Sequence, residues 1–130
     1  MILFFSFRQN INEREFRSSD SSTGGFSYIK LTFSSNKEID LIITKMIPTG
    51  YNQGGTNYES KTTMIKGKWL IQKDQFTCKF DTSDLFIKTL FKSLNNKNKG
   101  LKIIEPQTVI FPLLTDTLFI QEIPCIWSKK

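Results

Sequence analysis

Gly67-Lys68-Trp69-Leu70-Ile71-Gln72-Lys73-Asp74-Gln75-Phe76-Thr77-Cys78-Lys79-Phe80 is the stretch that decides the fold class. Trp69 and Ile71 share one face before a turn at Lys73-Asp74. Phe76, Cys78 and Phe80 share a face after it, while Gln75, Thr77 and Lys79 point away. Alternation at period 2 on both sides of a short polar turn predicts a β-hairpin with one buried face.

The same period runs outward in both directions. Towards the N-terminus, residues 26–33 read as a strand ended by Ser34-Ser35-Asn36-Lys37. Ile39, Leu41, Ile43 and Ile47 then fall on one face of a second strand, with Asp40 and Thr44 opposite. Pro48-Thr49-Gly50 reads as its end, residues 48–57 as a Gly/Asn-rich loop, and residues 58–65 as a third strand. Towards the C-terminus the period changes. Leu85, Phe86, Leu90, Phe91 and Leu94 fit a helical stripe over residues 83–95, with Ser83-Asp84 placed to cap its start. Residues 101–105, 107–113 and 117–128 read as further strands. Pro112 and Pro124 lack an amide donor and belong at strand ends, edges or bulges.

Composition agrees with a β-rich chain. Its 130 residues allow one domain. They include no alanine and one valine, Val109, against 16 Ile, 11 Leu and 12 Phe. Alanine is the best helix former and a common spacer between helices, so a helix bundle is not expected. The expected fold is mainly β: an antiparallel meander, either an up-and-down barrel or a strongly bent sheet, with one short helix near 83–95. Its inward face would carry Phe33, Ile39, Leu41, Ile43, Trp69, Ile71, Phe76, Phe80, Phe111 and Leu118. Residues this bulky either fill a small barrel or widen it around a cavity for an apolar ligand. The domain is expected over residues 26–130. Residues 1–25 divide into an apolar strand, residues 1–7, and a polar, Ser/Gly-rich flexible arm. The alternative for residues 1–7 is a shortened signal peptide, which would place the protein in the cell envelope or outside the cell rather than in the cytoplasm.

The chain contains no histidine, which removes Ser-His-Asp triads, Cys-His pairs and His-ligated zinc. No paired-carboxylate motif occurs, and Gly54-Gly55 is not followed by the Gly-Lys-Ser/Thr of a phosphate loop. No catalytic, cofactor-binding or metal-binding residue is therefore expected. Cys78 and Cys125 are read as two buried thiols, with a disulfide between them as the alternative in an oxidising compartment.

The formal charge is +6, and its distribution is uneven. Residues 1–65 carry 7 bases and 6 acids; residues 66–130 carry 11 and 6, every base there being lysine. Lysine acts as a point charge rather than a bidentate reader of bases, so specific nucleic-acid recognition is not expected. Single-stranded nucleic-acid binding is the weakest reading, because on the hairpin lysines and aromatics alternate onto opposite faces. The strongest candidate surface is residues 49–58. There Tyr51, Asn52 and Tyr58 combine flat contact area with adaptable hydrogen bonding.

Gly67-Lys68-Trp69 followed by the alternating strand from Gln75 resembles small bacterial lipocalin-like β-barrel domains, in which a glycine-x-tryptophan strand leads through a short turn into an alternating one. The resemblance implies a barrel in which Trp69 packs against one end. In the lipocalin family proper that motif lies on the first strand, whereas here it is mid-chain. Two functions follow as expectations. The first is a small binding module holding an apolar ligand in the barrel, with Trp69 and Phe76 as candidate contacts beside Tyr51, Asn52 and Tyr58. The second is an inhibitor or immunity-type protein, presenting the loop or a lysine-rich face to an acidic protein. An enclosed cavity favours the first, and a filled core with an exposed aromatic patch favours the second.

Overall fold

A computed structural model describes residues 14–19, 27–52 and 54–129. The expected strand at 1–7 and the Ser/Gly run at 20–25 lie outside the described residues. Among these residues nine strands form one antiparallel sheet: β1 (Arg14–Arg17), β2 (Ser27–Phe33), β3 (Glu38–Asn52), β4 (Gly55–Gln72), β5 (Gln75–Phe80), β6 (Lys102–Ile104), β7 (Thr108–Pro112), β8 (Thr117–Ile120) and β9 (Ile123–Lys129). Their order across the sheet is β6-β7-β5-β4-β3-β2-β1-β9-β8. The first five strands run as a meander. The C-terminal hairpin β8–β9 adds to the free side of β1, and β7 pairs with β5. Among the described residues one α-helix, α1 (Asp84–Phe91), and a short 3-10 turn at Leu94–Asn96 lie between β5 and β6. No helix among the described residues is long and apolar enough to cross a membrane.

The founding hairpin forms as the alternation requires. Trp69 stands opposite Cys78 and Ile71 opposite Phe76. Its turn residues Lys73 and Asp74 both have positive φ, 51° and 63°, the handedness that matches strand twist in a two-residue hairpin.

Over the packed body one face of the sheet is predominantly apolar, and the sheet curls around it into a half-barrel. Phe16 of β1 and Phe111 of β7 are separated in the ladder by four strands, yet their ring centroids are 5.7 Å apart, edge to face. Phe76 meets Phe33 at 4.8 Å, Phe111 at 5.1 Å and Trp127 at 5.9 Å. The middle of the half-barrel is thus occupied by stacked and tilted rings, the arrangement aromatic pairs prefer. Of the ten residues expected on the inward face, nine are buried and Ile71 packs against them.

α1 covers one end of this core. The Ser83 hydroxyl accepts from the Phe86 N–H (3.1 Å), as the capping reading requires, and Ile87, Leu90 and Phe91 are buried. The helix is shorter than 83–95, and its stripe is shifted. Leu85 and Leu94 are exposed, and Ile87 takes the inward position. The loop after it closes the open side of the sheet through Asn98. The Asn98 amide donates to the carbonyls of Phe91 and Phe119, both at 2.9 Å, and its oxygen accepts from the Phe119 N–H at 2.7 Å. A side chain thereby stands in for a strand along the edge of β8.

Three readings need correction. Residues 14–17, placed in the flexible arm, form β1 between β2 and β9, with Phe16 fully buried. A strand with a single apolar residue has no alternation to reveal it. The single strand at 117–128 is a hairpin, turning at Gln121 and Glu122 with φ of 53° and 65°. Neither residue type advertises such a turn. The loop at 48–57 is also largely strand.

Candidate functional site

β3 and β4 are far longer than their neighbours. Among the described residues β2 pairs with β3 as far as Lys45, and β5 pairs with β4 from Gly67 to Gln72. Beyond those limits, among the described residues, the two strands pair only with each other, up to Asn52 opposite Gly55. The described residues thus form a two-stranded arm extending past the packed body. Residues 46–52 alone span roughly 24 Å at strand rise.

The turn-forming residues that suggested a loop are absorbed in this ladder. The register shifts between Pro48 and Gly50, a bulge that takes up one extra residue. Pro48 sits at that irregularity, where a missing amide donor is tolerated. The Thr49 hydroxyl donates to the Asn57 carbonyl at 3.3 Å and ties the bulge across the pair.

The arm presents different chemistry on its two faces. Ladder register puts Met46, Pro48, Tyr58, Ser60, Thr62 and Met64 on the outer side. Met64 is 52% exposed and Tyr58 42%. Tyr51, nearer the tip, is 86% exposed. The inner side carries Lys45 opposite Lys61 and Ile47 opposite Glu59. At its root, Ile43, Ile47 and Thr63 face Phe86 and Gln121 across a cleft of about 330 Å³.

The five candidate contact residues separate into two places. Tyr51, Asn52 and Tyr58 belong to the arm. Trp69 and Phe76 belong to the core, their rings 6.2 Å apart. Trp69 is fixed from three sides: its indole N–H donates to the Ser34 carbonyl (3.2 Å), Phe33 meets it edge to face, and the Lys37 ammonium lies 4.3 Å from the ring centroid. Phe76 is fully buried among rings. Sequence reasoning missed Met46, Ile47 and Met64, which become visible as surface only once the strands are known to outrun their neighbours.

The lysines do not gather on one surface. Lys66 and Lys68 pair with Asp40 (3.3 Å) and Glu38 (3.5 Å) on the outer face of the sheet. Lys88 on α1 pairs with Glu105, and Lys97 with Glu122. Beside α1 an open groove of about 560 Å³ is lined by Leu85, Phe91, Leu101 and Ile103, with Lys88 and Lys92 at its side.

Both cysteines are free and buried. Burial pushes the Cys78 thiol far above its ordinary range and Cys125 up to about 12, the latter opposed by a backbone hydrogen bond at Ile120. A thiol held protonated is a poor nucleophile. Among the described residues no group of three or more metal-ligating side chains comes together.

Neither protein-family models, nor curated proteins, nor solved structures match this chain.

Proposed function

We propose that the protein is a non-enzymatic binding module that docks on another protein through the β3–β4 arm, in the manner of an inhibitor or immunity-type protein. The observation carrying this reading is the arm itself: a long ribbon with exposed aromatic and thioether side chains outside a filled body. Tyrosine and methionine are residue types enriched where proteins meet. The arm's charges, Lys45 and Lys61 against Glu59, favour a partner with an acidic rim around an apolar centre.

The lipocalin-like reading is supported by layout: a curled antiparallel sheet with Trp69 inside it. Ligand carriage within that sheet is disfavoured, because aromatic rings occupy the space a ligand would need. A weaker second reading moves the apolar ligand to the groove beside α1, where leucine and phenylalanine side chains lie next to two lysines. There a fluorescent fatty acid should bind and Leu85→Asp should abolish binding. Unchanged uptake by that variant removes the second reading.

A photo-crosslinking residue tests the docking reading when placed at Tyr51 and, as a control, at the exposed Lys79 of β5. In extracts of the source cells the Tyr51 position should give a discrete adduct with a different protein, and the Lys79 position none. Equal adducts from both positions, or none from the arm, reject the reading.

A further inference from the structure

Along the arm, no strand among the described residues pairs with the edge of β4 that faces away from β3. The Asp81 N–H donates to the Lys66 carbonyl (2.7 Å), so the chain after β5 occupies that edge down to Lys66. From there to the tip, the only strand paired with β4 among the described residues is β3. The direction of the backbone groups along that edge follows from two bonds. The Trp69 N–H donates towards β3, to the Lys37 carbonyl at 2.8 Å, whereas the Lys66 carbonyl accepts from the other side. Odd-numbered residues of β4 therefore direct their backbone groups to β3. Even-numbered residues over 56–64 direct theirs outward. A two-stranded ribbon with an unpaired edge is marginally stable alone and a template for a further strand.

The side chains at the middle of that edge say which strand fits. Lys61 stands directly opposite Lys45 within the arm, a like-charge pair that is unfavourable in a sheet. Neither lysine, nor Glu59, has an ion-pair partner among the described residues. Glu59 and Lys61 flank Ser60 symmetrically. We propose that the arm is a homodimerisation element, in which β4 pairs antiparallel with β4 of a second copy about a two-fold axis at Ser60.

In that register Ser60 lies opposite the partner's Ser60 in a hydrogen-bonded position, since its backbone groups point outward. Glu59 then lies opposite the partner's Lys61, and Lys61 opposite the partner's Glu59. Those two pairs are of the non-hydrogen-bonded kind, where side chains approach more closely. Each like-charged Lys45–Lys61 pair thereby gains an acid from the other copy. A shift centred on Glu59 or on Lys61 sets like charges opposite each other, so charge fixes the register. A lone edge lysine deters pairing; here Glu59 makes it selective for the chain's own strand. On the outer face Tyr58 comes beside the partner's Thr62 and diagonal to the partner's Met64. The arms become one four-stranded sheet.

This inference stands on the edge of the arm and not on contacts of its tip, so its test and that of the docking reading fail separately. Light scattering after size exclusion should give the wild-type chain twice its own mass. Glu59→Lys and Lys61→Glu should each weaken dimerisation by about tenfold or more. An equimolar mixture of the two variants should restore a heterodimer, as should combining both changes in one chain. Circular dichroism checks that the single variants keep the β-fold, as expected for exposed positions. A monomeric wild type at near-millimolar concentration overturns the proposal. So does a dimer indifferent to the single changes, or a mixture that stays monomeric.

Discussion

Gly67 has no side chain because none fits. A Cβ there would run into the Lys79 carbonyl and lie 2.9 Å from the Phe80 Cα, both backbone of the neighbouring strand. Backbone cannot step aside as a flexible side chain can, so Gly67→Ala should destabilise the protein by about 2–3 kcal/mol in urea unfolding. A loss below about 0.5 kcal/mol would show that β4 and β5 do not need this close approach. The buried thiols give a second prediction at this scale. Their folded pKa values are raised above the ordinary 9.0, so their contribution to stability is complete below pH 9 and declines above it. Each thiol should lower stability by about 1.4 kcal/mol per pH unit there, the unfolded chain alone being ionised. Denaturant titrations should show the slope set in near pH 9 and approach that value by about pH 10, and a Cys78→Ala/Cys125→Ala chain should flatten it. An equal slope in both chains contradicts the burial. Trp69 and Phe76 were legible in the sequence as core-facing residues, because they alternate with polar neighbours. Their use as ligand contacts was not settled by that pattern, since the same alternation describes a filled core and a lined cavity.

Elements were legible where they carried periodic apolar residues, as in β2, the β4–β5 hairpin and α1. They were illegible where tertiary partners supply the reason for the structure. Arg14–Arg17 is a strand because β2 and β9 both pair with it, and Phe16 is its only apolar residue. Asn98 shows the same dependence. In sequence it belongs to a polar run that ends a helix; in the fold it is buried and holds the β8 edge to the end of α1. Asn98→Ala leaves two carbonyls and one amide without this partner. It should cost about 2–3 kcal/mol and raise hydrogen exchange at Phe119. An unchanged exchange rate at Phe119 would mean that the loop does not close the sheet.

The whole molecule is a curled sheet filled by its own rings, with an arm that takes no part in the filling. The bulky, alanine-free composition made cavity against filled core the open question, and among the described residues Phe16, Phe33, Phe76, Phe111 and Trp127 pack ring against ring at the middle of the sheet. The arm could not be read from sequence because Pro48, Gly50, Gly54 and Gly55 are the residue types of a loop. Only the register shows that most of the segment stays paired. The net charge, too, resolves into scattered lysines, four of them paired with carboxylates beyond residue 65. The central claim, a self-sufficient body and an arm that does the binding, is tested most directly by excising the arm. Residues 46–60 are replaced by Asn-Gly between the paired Lys45 and Lys61, a turn suited to a two-residue hairpin. Thermal unfolding and solution mass are then measured on the same sample. The account predicts a melting temperature within about 5 °C of wild type, together with complete loss of self-association. An unfolded chain, or a folded one that still dimerises, would contradict it.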